Sequence, residues 1–313
     1  MAGSSPENLP LWDAIVVGGG VAGLACALML GRYRRRAIVV DDGHPRNGAT
    51  TAIHGIPFLV GVGPWELRER SWEEIARYPT IQNCNDTALR AGQEADGTLW
   101  VETGSGRRVR GKRLLLATGV EDILPDDIAG FRAFYGKTIH HCPDCDGYQA
   151  TDKAIGLIAW GDVAAPYAMD FLNWTDRITV LTNGHPEDEI PESHRKQLER
   201  FNIPIETRPL ARFEGADGTL TGVRFRDGTS FPCEVVYFYI GQHPRNDLAR
   251  QLGCKLNKQG HVVQDRRQRT SVENVFAAGD IAPPDETVAV ALAQGQVAAI
   301  VINRSLYGER WMG

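Results

Sequence analysis

An α/β fold of two similar domains, the second inserted within the first, follows from three observations. A strand, a glycine-rich turn and a helix open the chain at residues 14–33. The same unit restarts in weaker form at residue 154, and a third strand-and-helix region at 275–304 closes the chain. Alternating apolar strands and apolar helices call for parallel sheets covered on both faces. At 313 residues the chain exceeds one ordinary core and suits two domains. Residues 1–122 and 246–313 are expected to form the first domain and 123–245 the second.

In the opening unit, Ala14, Ile15, Val16 and Val17 make a short buried strand, and residues 24–33 carry helix formers. A second strand, Ala37 to Val40, ends in Asp41 and Asp42. Residues 64–78 read as a helix with Pro64 in its first turn, where the missing N–H costs nothing. Strand candidates near 99–102 and 107–110, separated by Gly104 and Gly106, predict a β-meander inserted in the sheet domain. Leu114, Leu115 and Leu116 return to a buried strand. In the second unit, residues 154–158 and 178–181 read as strands and 164–174 as a helix, with Gly161 in the turn between.

Composition narrows the function classes. An apolar share of 42% and a charged share of 23% are those of a soluble globular chain. A formal net charge of -5 with no long basic run gives no reason to expect nucleic acid as partner. Arg34, Arg35 and Arg36 follow a helix-like segment and read as a solvated helix end. Residues 1–10 lack a signal-peptide pattern, and no apolar run is read as membrane-spanning, so a cytoplasmic protein is expected. Six cysteines are too few for a disulfide scaffold, and in a reducing cytosol a close pair is redox-active or metal-binding.

Gly18, Gly20 and Gly23 have the spacing of a dinucleotide turn. The first allows the tight turn, the second lets backbone approach a pyrophosphate, and the third lets helix pack on strand. The pyrophosphate, near Val21 and Ala22, would meet the helix N-terminus, where unpaired N–H groups favour an anion. The acidic residue expected about 20 positions on is Asp41 or Asp42. This pattern does not separate FAD from NAD. The segment Phe276-Ala-Ala-Gly279-Asp280 favours FAD, because a strand ending in Gly-Asp can set a carboxylate against a ribityl chain.

Cys142 and Cys145 stand close enough for a small-ring disulfide, and one thiol of such a pair often has a lowered pKa. Asp146 follows directly and can serve as acid or base. A zinc site would need two further ligands, and His140 and His141 are poorly placed to complete a tetrahedron, so no metal is expected. Cys26 reads as a core residue.

Together these features resemble the low-molecular-weight thioredoxin reductase family across nearly the whole chain. The matching segments are Gly18-x-Gly20-x-x-Gly23, Leu116-Ala-Thr118-Gly119, Cys142-Pro-Asp-Cys145-Asp146-Gly147, Tyr239-Ile-Gly241 and Phe276-Ala-Ala-Gly279-Asp280. The resemblance implies two Rossmann-like domains of three-layer ββα form, an FAD domain built from both chain ends, a central NADPH-binding-like domain and a homodimer. It also implies that Cys145 lies against the flavin, that Cys142 attacks the substrate and that Asp146 is the acid/base group. By the same analogy Thr118, Gly119, Gly279, Asp280 and Val288 join the FAD site. Asp42, Arg46, Asn47 and His54 look closer to a side branch that includes dithiol oxidases acting on small metabolites.

The departures from the family pattern matter as much. Ala159-Trp160-Gly161 replaces the second domain's glycine turn, Pro166 and Tyr167 replace acidic residues, and Thr182-Asn183-Gly184-His185 replaces the arginines for a 2′-phosphate. Thr287-Val288 replaces an Arg-Gln pair. NADPH is therefore not the expected reductant.

The leading expectation is an FAD-dependent dithiol/disulfide oxidoreductase. It would exchange electrons with a thioredoxin-like protein or small dithiol, and with a ferredoxin-like donor, a second flavin or oxygen. The alternatives are an NADPH-dependent thioredoxin reductase, a small-molecule dithiol oxidase using oxygen, and a non-catalytic flavoprotein redox sensor. Trp160, Tyr167 and Trp174 could stack on a second flavin, though core packing is the plainer reading. Trp311 could cover a flavin face or belong to a frayed tail.

Overall fold

The computed structural model describes residues 10–283 and 285–307, so Trp311 lies outside the described residues. The chain divides into two compact units. One comprises Met1–Gly48, Gly63–Glu121 and His243–Gly313; the other comprises Ala49–Val62 and Asp122–Gln242. Residues 49–62 thus belong with the second unit, a division that the hydropathy pattern does not announce.

The first unit is a three-layer ββα sandwich. Its central sheet is parallel, in the order Val275–Ala277, Leu114–Leu116, Ala14–Val17, Ala37–Asp41, Ile81–Asn85. The strand Val275–Ala277 pairs with Leu114–Leu116, which is how the two chain ends build one domain. The expected meander is present, with Leu99–Thr103 antiparallel to Arg108–Gly111. Ala88–Gln93 adds a strand that was not foreseen, because its outward positions are half-polar.

On the other face, the helices Val21–Arg32 and Val288–Ser305 share one buried cluster with the sheet residues Ala14, Val16, Val39 and Phe276. They meet closely: a Cβ on Gly295 would stand 2.1 Å from the carbonyl oxygen of Ala22. The basic cluster is not simply solvated, since Arg35 Nε donates to Asn303 Oδ1 at 2.8 Å and also reaches the Asn303 carbonyl. One sequence expectation needs correction. By length and composition Val288–Ser305 is long and apolar enough to cross a membrane, with mean hydropathy 1.2 over 18 residues. Ala291, Ala298, Ala299, Val301 and Ile302 are buried in the cluster shared with Val21–Arg32, while Leu292 is exposed.

The second unit repeats the plan. Its parallel sheet runs Ile139–His140, Val235–Phe238, Ile155–Ile158, Ile178–Leu181, Ile205–Glu206. One face carries the helices Ala164–Asp170 and Glu192–Arg200, and the other an antiparallel sheet of Leu210–Ala216, Thr219–Phe225 and Ser230–Pro232. The sequence reading of 164–174 as one helix is shortened, since the chain tightens to a 3₁₀ turn at Phe171–Asn173.

Candidate active site

In the first unit the glycine turn follows its strand directly. Gly18 takes φ +101°, open to glycine at no cost, and a Cβ there would lie 2.2 Å from the Ala117 carbonyl oxygen. Gly20 caps the helix Val21–Arg32 with no side-chain hydrogen bond, and a Cβ built on it would meet nothing within 4 Å. Open space therefore faces uncapped N–H groups, which fits a pyrophosphate.

The two acids at the second strand differ in role. Asp41 is buried, and its Oδ1 accepts from the Gly19 N–H at 2.7 Å. Its Oδ2 accepts from the Gly43 N–H at 3.1 Å and pairs with Arg68, which also donates to the Gly19 carbonyl. Asp41 thus braces the turn itself. Asp42 is more exposed and engages the N–H of His44 at 3.2 Å. Arg68 was missed, since nothing in its helix marks one arginine among several.

At the C-terminal end of the same sheet, the Gly279 N–H donates to the buried Gln294 side chain at 2.7 Å. Arg46 Nη1 lies 3.0 Å from Asp280 Oδ2 and 2.6 Å from Glu286 Oε2, and His261 Nε2 stands 3.4 Å from Glu286 Oε1. Sequence reasoning found Arg46 and Asp280 separately, but not their pairing or the part of Glu286. Thr118 Oγ1 donates to the Arg245 carbonyl at 2.7 Å, and Gly119 takes φ +67° with open space beside it. Val288 begins the last helix, whose cap is the Thr287 hydroxyl. Asn47 falls in the first unit and His54 in the second.

The redox pair sits in the second unit, at the C-terminal end of the edge strand Ile139–His140. Cys142 and Cys145 are joined as a disulfide with Cα atoms 5.3 Å apart. Cys142 caps the single turn Pro143–Asp146, and Pro143 suits that first position. The Cys145 N–H donates to Cys142 Sγ at 3.1 Å, a bond that would strengthen if Cys142 became a thiolate.

Two phenols hold the backbone of this segment. Tyr167 donates to the His141 carbonyl at 2.6 Å, and Tyr237 donates to the Asp146 carbonyl at 2.7 Å. Burial raises both phenols well above the ordinary tyrosine pKa, so they act as fixed donors. Asp146 Oδ2 lies 3.4 Å from His140 Nδ1, and His141 Nε2 lies 3.6 Å from Asp122 Oδ2. Trp174 packs against Gly147, where a Cβ would come within 2.4 Å of the indole. Tyr167 is buried and Trp174 half-buried beside this segment.

The remaining cysteines Cys26, Cys84, Cys233 and Cys254 are buried free thiols. Burial pushes Cys233 up to about 12 and also raises Cys26 and Cys254. Native protein, reduced and then treated with iodoacetamide near neutral pH, is expected to carry label only on Cys142 and Cys145. All six cysteines should label after unfolding. A further native label by intact mass would contradict this assignment.

The second glycine turn departs from the first. Trp160 stacks on His185 with ring centroids 4.1 Å apart and planes 8° from parallel, and His185 Nδ1 lies 3.0 Å from Glu189 Oε2. Thr182 donates to the His185 carbonyl, and Asn183 accepts from the Leu210 N–H, so both serve the turn. Where the first unit has an acid bracing glycine, this one has an indole covered by an imidazole.

Comparison with known proteins agrees with this architecture. The family described as pyridine nucleotide-disulphide oxidoreductase matches residues 12–295. The chain is 34% identical to thioredoxin reductase tcpT of Claviceps purpurea, over 95% of each chain. It is 31% identical to thioredoxin reductase sirT of Leptosphaeria maculans, again over 95% of each. Among solved structures, an oxidoreductase from Agrobacterium tumefaciens superposes with a TM-score of 0.82 at 32% identity, covering 96% of this chain and 99% of that one. With a dinucleotide cradle, a disulfide between cysteines separated by two residues in a Cys-x-x-Cys segment and these relatives, the chain belongs to the pyridine nucleotide-disulphide oxidoreductases, as a thioredoxin-reductase-like flavin disulfide oxidoreductase.

Proposed function

We propose that this protein is an FAD-dependent dithiol/disulfide oxidoreductase that does not take its electrons from NADPH. The observation that carries the reading is the Trp160–His185 stack. Trp160 stands in the turn where a second pyrophosphate would approach, stacked on His185, and the strand Ile178–Leu181 ends without an arginine for a 2′-phosphate. Replacing a bidentate charged partner by a self-contained turn removes most of the affinity for a phosphorylated ribose.

FAD, when bound, supplies a two-electron acceptor or donor. The chain's own residues do the rest. Gly18, Gly20 and the helix N-terminus hold the pyrophosphate, and Asp41 with Arg68 keeps the turn rigid. Cys142, with the Cys145 N–H on its sulfur, is the thiol that exchanges with substrate, and Asp146 moves the proton at the pair. The substrate is a thiol or disulfide compound, for which the relatives' name supports a thioredoxin-type protein. A ferredoxin-like carrier, a second flavin or oxygen closes the electron path, and the working form is a cytoplasmic homodimer.

Anaerobic titration of the yellow holoprotein tests this. One equivalent of NADPH is expected to leave the flavin oxidised, while a dithiol such as dithiothreitol bleaches it, and the flavin is counted per chain. Rapid bleaching by stoichiometric NADPH overturns the reading, and two flavins per chain would name the second site's occupant.

A further inference from the structure

The cysteines sit on a turn too short to hold its own shape. Pro143–Asp146 has far fewer residues than a helix that stands alone in water, and the last carbonyls of any helix lack a partner inside it. In the disulfide form the sulfur–sulfur bond closes that turn. Once the pair is reduced the covalent tie is gone, and the two thiols stay together only as far as the backbone does. The carbonyls on either side of the pair are held from outside the segment. Tyr167 Oη donates to the His141 carbonyl at 2.6 Å, one residue before Cys142. Tyr237 Oη donates to the Asp146 carbonyl at 2.7 Å, one residue after Cys145.

Both phenols are anchored where they cannot follow a moving segment. Tyr237 lies in Val235–Phe238, which is paired on both sides in the parallel sheet, and its side chain is fully buried. Tyr167 lies on the helix Ala164–Asp170. Its hydroxyl also stands 3.2 Å from the Phe238 carbonyl, so helix, strand and redox segment meet at one oxygen. The Phe171 ring packs on both, with centroids 5.4 Å from Tyr167 and 4.3 Å from Tyr237. Burial keeps both phenols protonated wherever the thiols react, so neither bond is lost by titration.

We propose that Tyr167 and Tyr237 are positioning residues that clamp the two ends of the Cys142–Cys145 segment and so favour its closed, disulfide form. The proposal rests on the dithiol/disulfide reading above and adds what sets the balance between the two forms. The disulfide already confines the turn, so the clamp removes little further freedom from it. The dithiol does have freedom to lose, and holding its ends raises the effective concentration of one thiol at the other. Closing the ring joins the two sulfurs and passes two electrons and two protons to an external disulfide, which becomes two thiols. Opening it reverses this, and the phenols keep their hydrogens throughout. Without one phenol the dithiol gains freedom, and the pair becomes easier to reduce.

The test equilibrates the anaerobic holoprotein in buffers of graded reduced-to-oxidised dithiothreitol. Samples are quenched with acid and alkylated, and open rings are counted by intact mass. Tyr167→Phe and Tyr237→Phe keep the rings and their packing and remove only the hydroxyls. Each is expected to open at a reduced-to-oxidised ratio on the order of 10-fold lower than wild type, about 30 mV toward the more oxidising side. Leu198→Ala, in the same buried cluster, is the control for stability alone. It should lower the unfolding midpoint without moving the redox midpoint. Amide exchange over residues 142–147 should quicken in the reduced Phe variants and stay near wild type in the oxidised ones. An unchanged redox midpoint, a shift the other way, an equal shift in Leu198→Ala, or exchange quickened equally in both forms overturns the proposal. If no buffer opens the wild-type ring, the dithiol reading itself falls, and the clamp falls with it.

Discussion

Changing Cys145 to serine is expected to reduce turnover with any dithiol or disulfide substrate to less than about one part in 10³, an effect of the size seen when a covalent nucleophile is removed. The pair takes up two electrons by opening its sulfur–sulfur bond and gives them up by closing it, and a hydroxyl cannot replace either half. Cys142→Ser should be as inactive, but the two variants should fail differently. In Cys145→Ser, Cys142 keeps the hydrogen bond from the residue 145 N–H, which favours its thiolate. It should therefore accumulate as a stable mixed disulfide with the substrate or with a reagent such as dithionitrobenzoate. In Cys142→Ser the remaining thiol follows Pro143 and Asp144 inside the turn and has no such support. Intact mass after incubation with substrate separates the cases. A trapped adduct on Cys145 and none on Cys142 would reverse the assigned roles.

The parts of this protein that were legible in its sequence are those written in consecutive residues. The buried strand Ala14–Val17, its glycine turn and its helix stand together in the chain, as do Cys142, Cys145 and Asp146. The parts that were not legible depend on which strands become neighbours. Tyr237 supports Asp146 because Val235–Phe238 pairs with Ile139–His140, nearly a hundred residues earlier in the chain. Tyr167 reaches the His141 carbonyl from a helix that reads as plain core. Arg68 braces Asp41 from a helix rich in charged residues, with no local feature to mark it. His140 and His141 were weighed only as metal ligands, since their partners Asp146 and Asp122 are set by the fold. The loss of the second glycine turn was visible as Ala159-Trp160-Gly161, but the imidazole covering Trp160 was not.

The second large effect separates the fold from the cofactor by two alanines placed three residues apart. In Gly23→Ala the new methyl would lie 1.8 Å from the Gly18 carbonyl oxygen and 3.3 Å from a Val16 methyl. Backbone cannot yield as a side-chain tip can, so the helix Val21–Arg32 must move off its strand. It has nowhere to go, since Gly295 of the last helix already brings that helix against the Ala22 carbonyl. A cost above about 3 kcal/mol is expected, at the upper end of overpacking effects and a large share of a typical stability. Gly23→Ala should then be found largely insoluble, or with a much lowered unfolding midpoint. Gly20→Ala is the control. Its φ of -72° suits alanine, and its methyl meets no protein atom within 4 Å. The apoprotein should unfold at the wild-type urea midpoint, while the methyl projects into the space facing the uncapped N–H groups. Flavin absorbance per chain should fall even though the fold is kept. If Gly20→Ala retains full flavin, the pyrophosphate does not lie over that turn. If Gly23→Ala is as stable as wild type, the close approach of helix and strand is not what the glycine is there to permit.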